Sequence, residues 1–220
     1  MSDVFREVDE DVRRDQWLKL WNTYGYYVIA AVVSVVLLVA ASVGWTEYQL
    51  SRHQAESEQF AAASRSLADG QAEIAAKQLA VLADGAGDGY ETLARLREAE
   101  ALVAAGDTVA AVAVLDRIAG DSDVDPAMGQ LASLMAVYQL MDNSSRDELE
   151  RRLKPLMAAD SPWRSSAREL SGLIAYRAGE TETARQMFAD IVEDPAAPQA
   201  ARSRAAGLLA ILGAGSGDGG

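Results

Sequence analysis

Residues 162–193 read PWRSSARELSGLIAYRAGETETARQMFADIVE. Two runs rich in Ala, Leu, Glu, Gln and Arg, all strong helix formers, meet at Gly179–Glu180. A glycine at that point fits the left-handed turn that ends one helix and lets the next begin antiparallel. The stretch therefore predicts one helix over about 162–178 and a second over about 180–193. The same punctuation recurs upstream at Asp69–Gly70, Gly106–Asp107 and Asp142–Asn143. From Gly70 to Gly106, Asn143 and Gly179 the intervals are 36, 37 and 36 residues. A helix–turn–helix unit repeated at such a period is the signature of a helical solenoid.

Working outward gives helices at about 47–68 and 71–84, 89–105 and 107–119, and 126–141 and 146–158, with a closing helix at about 198–212. Loops such as Asp84–Gly89 and Gly120–Asp125 separate successive pairs. Pro126, Pro162, Pro195 and Pro198 fall in gaps, whereas Pro155 falls inside a helical run, which it should kink or shorten. No alternating strand pattern competes, so the chain reads as all-α. A plain helical bundle would use Ala and Leu every few residues just as a solenoid does. The tail Gly213–Gly220, GAGSGDGG, has no side chains to pack and is expected to be disordered.

At the other end lies Tyr26–Trp45, YYVIAAVVSVVLLVAASVGW, without one charged residue. Twenty residues at about 1.5 Å each make about 30 Å of helix, the depth of a bilayer's hydrocarbon core. Trp17, Trp21, Tyr24, Tyr26 and Tyr27 flank it on one side and Trp45 and Tyr48 on the other, where aromatic rings favour a membrane interface. A cleaved signal peptide has a shorter apolar region and a short basic leader. Here the leader holds Asp3, Glu7, Asp9, Glu10, Asp11 and Asp15,. A buried core helix rarely runs so long without a charge. The reading is one retained transmembrane helix. Arg13, Arg14 and Lys19 precede it and only Arg52 follows within fifteen residues. The positive-inside rule then places the N-terminus in the cytoplasm. The expected layout is a cytoplasmic leader 1–23, a span 24–46, a repeat domain 47–212 on the far side of the membrane and the tail 213–220.

The chain has 220 residues, a net charge of −13, no Cys and a single His. Beyond residue 45 the remainder carries a net −11. That sign argues against nucleic acid as a partner, and should keep the exported domain off an anionic bilayer surface. Without Cys, an exported domain depends on packing alone, and zinc–thiolate and thiol chemistry are excluded. His53 sits just beyond the span and reads as a solvated helix residue. In the leader, Val4, Phe5, Val8 and Val12 recur at helical spacing with acids between. Two readings stay open: an interfacial amphipathic helix, or a solvated extension of the membrane helix.

The repeats resemble tetratricopeptide (TPR) repeats. That family favours a small residue seven before the inter-helix glycine, an Ala five after it and a large apolar residue nine after it. Around Gly179 these are Gly172, Ala184 and Phe188. Around Gly106 they are Ala99, Ala111 and Leu115, and around Gly70 they are Ala63, Ala75 and Leu79. In the third repeat Ala136 fits, but Glu148 and Arg152 occupy the later positions, and a one-residue slip to Leu149 and Leu153 restores the pattern. The leader FREVDEDVRRDQWLKLW, one span and a Cys-free TPR-like domain together resemble the ancillary TPR subunit of the bacterial Sec translocon, the YfgM-like family. The resemblance implies an inner-membrane protein whose periplasmic domain associates with the translocon and with periplasmic chaperones.

No catalytic constellation is present. Phosphate loops, histidine-based metal sites and Ser–His–Asp triads lack their residues, and Glu98/Glu100 and Glu148/Glu150 are spaced i, i+2 and do not face each other. No enzyme activity, cofactor, metal or small-molecule substrate is expected. A TPR array presents the first helix of each pair to a protein segment. Carrying the family's inward positions onto this chain gives a candidate groove of Phe60, Leu67, Leu93, Leu96, Glu100, Val103, Val137, Leu140, Glu169, Leu173 and Tyr176, with Ser64, Gln130, Ser133 and Ser166 beside them. Each of these would serve equally as core. The set is largely apolar and lacks the basic carboxylate clamp of TPR domains that grip chaperone C-termini. The expected partners are translocon subunits, periplasmic chaperones or exported clients, held by a membrane-anchored scaffold or chaperone-like helper. A regulatory scaffold that recruits a cytoplasmic regulator through the leader is the competing reading.

Overall fold

In a computed structural model of the chain, the backbone is described for residues 3–214 and side chains for residues 21–213, apart from Val28, Asp88 and Gly89. Helix α1 runs Asp3–Ala68, and is followed by α2 (Ala72–Gly85), α3 (Asp88–Ala104), α4 (Thr108–Gly120), α5 (Pro126–Leu140), α6 (Arg146–Leu153), α7 (Arg164–Arg177), α8 (Thr181–Glu193) and α9 (Gln199–Ala214). Pro155 acts as expected. It removes an N–H from the helical ladder, so α6 stops at Leu153 and the chain continues as a 3₁₀ turn over Lys154–Met157. Helix α9 extends to Ala214, and the remainder of the expected tail lies outside the described residues. By its internal contacts the chain divides into two units, Met1–Ala55 and Glu56–Gly220.

In the first unit the aliphatic side chains from Ile29 to Val43 are exposed. Within Trp21–Ala68 lies a window long and apolar enough to cross a membrane, with none of it buried; a signal sequence meets the same requirement. Two of its hydroxyls are satisfied within the helix. Ser42 Oγ donates to Val39 O at 2.8 Å and Thr46 Oγ1 to Ser42 O at 2.9 Å, the back-bonding by which Ser and Thr spare an apolar medium their polar groups. Trp21 folds over the buried Gly25, where an added Cβ would stand 3.3 Å from the indole. The leader's side chains Val4, Phe5, Val8 and Val12 lie outside the described residues.

In the second unit, turns of one kind close three of the helix pairs. Gly70, Gly106 and Gly179 take φ of 77°, 83° and 81°. Each donates to the carbonyl three residues back, and the following N–H reaches five back: Gln71 to Ser66 O at 2.9 Å, Asp107 to Leu102 O at 2.9 Å, Glu180 to Ala175 O at 3.0 Å. This is the Schellman arrangement. The third pair differs from expectation. Asn143 is not left-handed, since among the described residues only those three glycines have positive φ. Instead Asn143 and Ser144 both donate to Leu140 O, at 3.1 and 2.9 Å, and Ser145 caps α6 by accepting from Glu148 N. The turn tightens rather than reversing hand. Gly106 has open space where a Cβ would go, so Gly106→Ala should lose stability through φ alone, by about 1–2 kcal/mol. A urea titration should show a lower midpoint with unchanged slope.

Four apolar clusters, each formed by neighbouring helices, make up the core. Ala63, Ala75, Leu79, Leu82, Ala94 and Ala101 join α1, α2 and α3. Ala99, Ala111, Leu115, Ile118, Ala132 and Ala136 join α3, α4 and α5. Val137, Leu149, Leu153, Leu156, Ala167 and Leu170 join α5, α6, the 3₁₀ turn and α7. Ala175, Ala184, Phe188, Ile191, Ala201 and Ala205 join α7, α8 and α9. Such nearest-neighbour burial is what a solenoid requires. The repeat positions fall inside it. In the third pair Leu149 and Leu153 are buried, while Glu148 and Arg152 face outward and bond each other at 2.7 Å. One long-range cap adds to the packing. The buried Glu56 accepts from Gly87 N at 3.2 Å, setting a carboxylate at the positive end of α3. Glu56→Ala should cost about 1 kcal/mol, read as faster amide exchange in the first turn of α3.

Candidate protein-binding surface

The array offers the first helices of its pairs, and neighbouring pairs are tied by ion pairs about one repeat apart. Arg152 Nη2 bonds Asp116 at 3.0 Å across 36 residues. Arg146 spans 34 to Glu180, with Nη2 at 3.0 Å. Arg204 reaches Glu169 across 35. Arg177 donates to Met141 O across 36 and lies 3.0 Å from Asp142. Arg164 and Arg168 converge on Asp194, whose side chain is only 10% exposed. Trp163 Nε1 adds a neutral link to Ala127 O at 2.7 Å.

These contacts move pKa values. The Arg152 hydrogen bond holds Glu148 below its ordinary value, Arg146 does the same for Glu180, and Arg164, helped by the Ala196 N–H, does so for Asp194. A carboxylate with a depressed folded pKa adds stability above its unfolded value, about 4, and that contribution is lost as pH falls through the folded value. Burial raises the carboxyl of Glu98 instead, against the pull of Arg117, so its protonation favours folding and opposes the others above pH 4. The urea midpoint should therefore fall mainly below about pH 4. Glu180→Gln should flatten that acid limb.

The structure distributes the eleven candidate residues unevenly. Val137 is a correction. It is fully buried among Leu149, Leu153 and Leu170 and has no surface to offer a ligand, because that face of α5 is covered by α6 and α7. Phe60 and Leu67 are half-buried against the first cluster, with the Phe60 ring 6.2 Å from Tyr90. Leu96 and Val103 pack on the Leu115 cluster, Leu140 on that around Val137, and Leu173 touches the last two clusters. Glu100 is exposed and bonds Arg97 at 2.6 Å. Glu169 is held by Arg204. Leu93 and Tyr176 remain 45% and 48% exposed.

One surface went unread in the sequence. Leu134, Met135 and Tyr138 of α5, Ser166, Glu169 and Leu170 of α7, and Arg204 of α9 line a cavity of about 280 Å³. It gathers three successive first helices, and Tyr138 stands 66% exposed there. The available signal was an aromatic two residues after the buried small residue Ala136. It was obscured because α9 carries no glycine-marked partner and so did not count as a first helix.

Helix pairs at a 36-residue spacing, with small residues at their close approaches and a core built between neighbouring pairs, define a TPR-like solenoid, a protein-interaction architecture. The chain belongs to the tetratricopeptide repeat-like domain family, whose pattern matches residues 18–205. In fold it is similar to a putative kinesin light chain of Podosopora anserina with nearly identical TPR-like repeats, at a TM-score of 0.55 and 16% identity, covering 74% of this chain and 86% of that one. No curated protein matches this chain.

Proposed function

We propose that this is a single-pass, membrane-anchored protein-binding scaffold of the bacterial inner membrane. Its leader (1–23) is cytoplasmic, residues 24–46 span the bilayer and the TPR-like domain (47–212) is periplasmic. It acts beside the Sec translocon on exported clients or periplasmic chaperones, as its leader's resemblance to the translocon's ancillary TPR subunit suggests. The observation that carries the reading is the pairing of two exposed features: an uncharged apolar stretch of α1 with none of its window buried, and first helices that carry the exposed Leu93, Tyr138 and Tyr176. Anchoring keeps a weak binding surface at high local concentration near emerging chains, which raises occupancy without a new contact. The acidic leader favours a second reading, recruitment of a cytoplasmic regulator. Photo-crosslinking in native membranes from probes at Tyr176 and Phe5, read by mass spectrometry, separates them. Translocon subunits, chaperones or nascent exported chains at Tyr176 are expected. Adducts only at Phe5, with a cytoplasmic protein, would replace the first reading by the second.

A further inference from the structure

The cavity between α5, α7 and α9 has a chemistry that the row as a whole lacks. Leu134, Met135, Tyr138 and Leu170 make its walls apolar, and Glu169 and Arg204 close one side. The two charged residues are not equivalent. Glu169 is 15% exposed and Arg204 53%. Both oxygens of Glu169 are taken: Arg204 Nε donates to Oε1 at 3.0 Å and to Oε2 at 3.2 Å, and Nη2 donates to Oε2 at 2.8 Å. That engages one edge of the guanidinium. Nη1, and the edge it shares with the outer hydrogen of Nη2, makes no hydrogen bond among the described residues. A guanidinium fork can hold a second carboxylate bidentately on that edge.

Charge over the three helices points the same way. The chain is net −13, yet α5 carries no charged residue, α7 carries Arg164, Arg168 and Arg177 against Glu169, and α9 carries Arg202 and Arg204 with no acid. Even with Asp194 and Asp142 set against their arginines, these helices stay net positive in an acidic protein.

We infer that this cavity takes a large apolar side chain from a protein segment that carries an Asp or Glu beside it, the carboxylate docking on the free edge of Arg204. Glu169 serves as a positioning residue that holds the guanidinium in place. The inference rests on the protein-binding reading and names the class of partner at this end of the row. An acidic flank is complementary to Arg204 but is repelled by most of the remaining surface, so the contact confers specificity as well as affinity.

The test uses the full chain in detergent and three fluorescein-labelled nine-residue peptides. Each has a central Phe in a Gly/Ser background, flanked by Asp, by Asn or by Lys. The Asp peptide should bind about tenfold tighter than its Asn twin, as one charge-assisted contact implies. The Lys peptide should bind weakest, and the differences should shrink in high salt. Arg204→Gln should bring the Asp and Asn peptides to equal affinity, while Tyr138→Ala weakens both. Arg204→Lys should restore only part of the preference, since it keeps charge without the fork. A benzophenone in place of the Phe should crosslink within α5. Equal affinity for the Asp and Asn peptides, no binding of any of the three, or adducts at Leu93 or Tyr176 instead would overturn the assignment. Client crosslinks at Tyr176 in native membranes, obtained separately, would leave the broader protein-binding reading standing in each of those cases.

Discussion

In Phe188→Ala the amides of α7, α8 and α9 should exchange with solvent far faster than in the wild type, reflecting a loss of about 3–5 kcal/mol. Phe188 is 1% exposed and heads the largest fully buried side chains. It shares a cluster with Ala175, Ala184, Ile191, Ala197, Ala201, Ala205 and Leu212, and Leu173, Val192, Leu208 and Leu209 pack against that cluster. The alanines among them cannot reach into the vacated space, so part of the ring's volume stays empty and adds a cavity cost. Because the clusters are local, exchange in α2, α3 and α4 should hardly change. An equal loss of protection through all the helices would show that the array unfolds as one unit, against nearest-neighbour behaviour. Thermal melting should drop by about 6–20 °C where the array melts cooperatively.

The second large effect comes from the opposite face of the same contact. Gly172 is buried, and an added Cβ would stand 2.5 Å from Phe188 Cε1, 2.9 Å from Cζ and 3.1 Å from Cδ1. On an exposed helix, Gly→Ala gains about 0.5–1 kcal/mol. Here the methyl would meet the far end of a ring enclosed in a packed cluster, so either the ring or the α7–α8 approach must shift. Gly172→Ala should therefore destabilise by about 1–3 kcal/mol, and Gly172→Val by more. Gly172→Ala combined with Phe188→Leu should be more stable than the sum of the two single changes predicts, since the smaller side chain makes room for the methyl. That coupling is the readout of a double-mutant cycle. Strict additivity would mean that the close approach of α7 and α8 is not what requires the glycine.

The array was legible because its signals are local. Gly70, Gly106 and Gly179 each end a helix in the sequence and adopt positive φ in the fold. The slip to Leu149 and Leu153 could be read from the third repeat alone, since Glu148 and Arg152 had no place inside. Asn143 misled because the side chain tolerates a left-handed turn, whereas Ser145 supplied a cap and the chain turned by helical bonds instead. The surface was harder. Whether Val137 or Tyr138 faces outward depends on how α6, shortened at Pro155, packs against α5 and α7, and no periodicity within α5 encodes that. The role of Arg204 depends on Glu169, 35 residues away. Charge composition showed that the protein is acidic; only the fold shows that Arg164 and Arg168 are taken up by Asp194 while Arg204 is held by Glu169.

The four clusters also bear on the order in which the array forms. The first is complete once α3 exists, the second once α5 exists, the third with α7 and the last with α9. Within the second unit, a chain released N-terminus first holds no large apolar surface waiting for a distant segment. At each moment only one helix pair lacks its partner, and the next few dozen residues supply it. Low contact order of this kind makes for fast folding and limits the time in which exposed surface aggregates. An array with this arrangement can thus settle pair by pair as the chain emerges, without help from a disulfide.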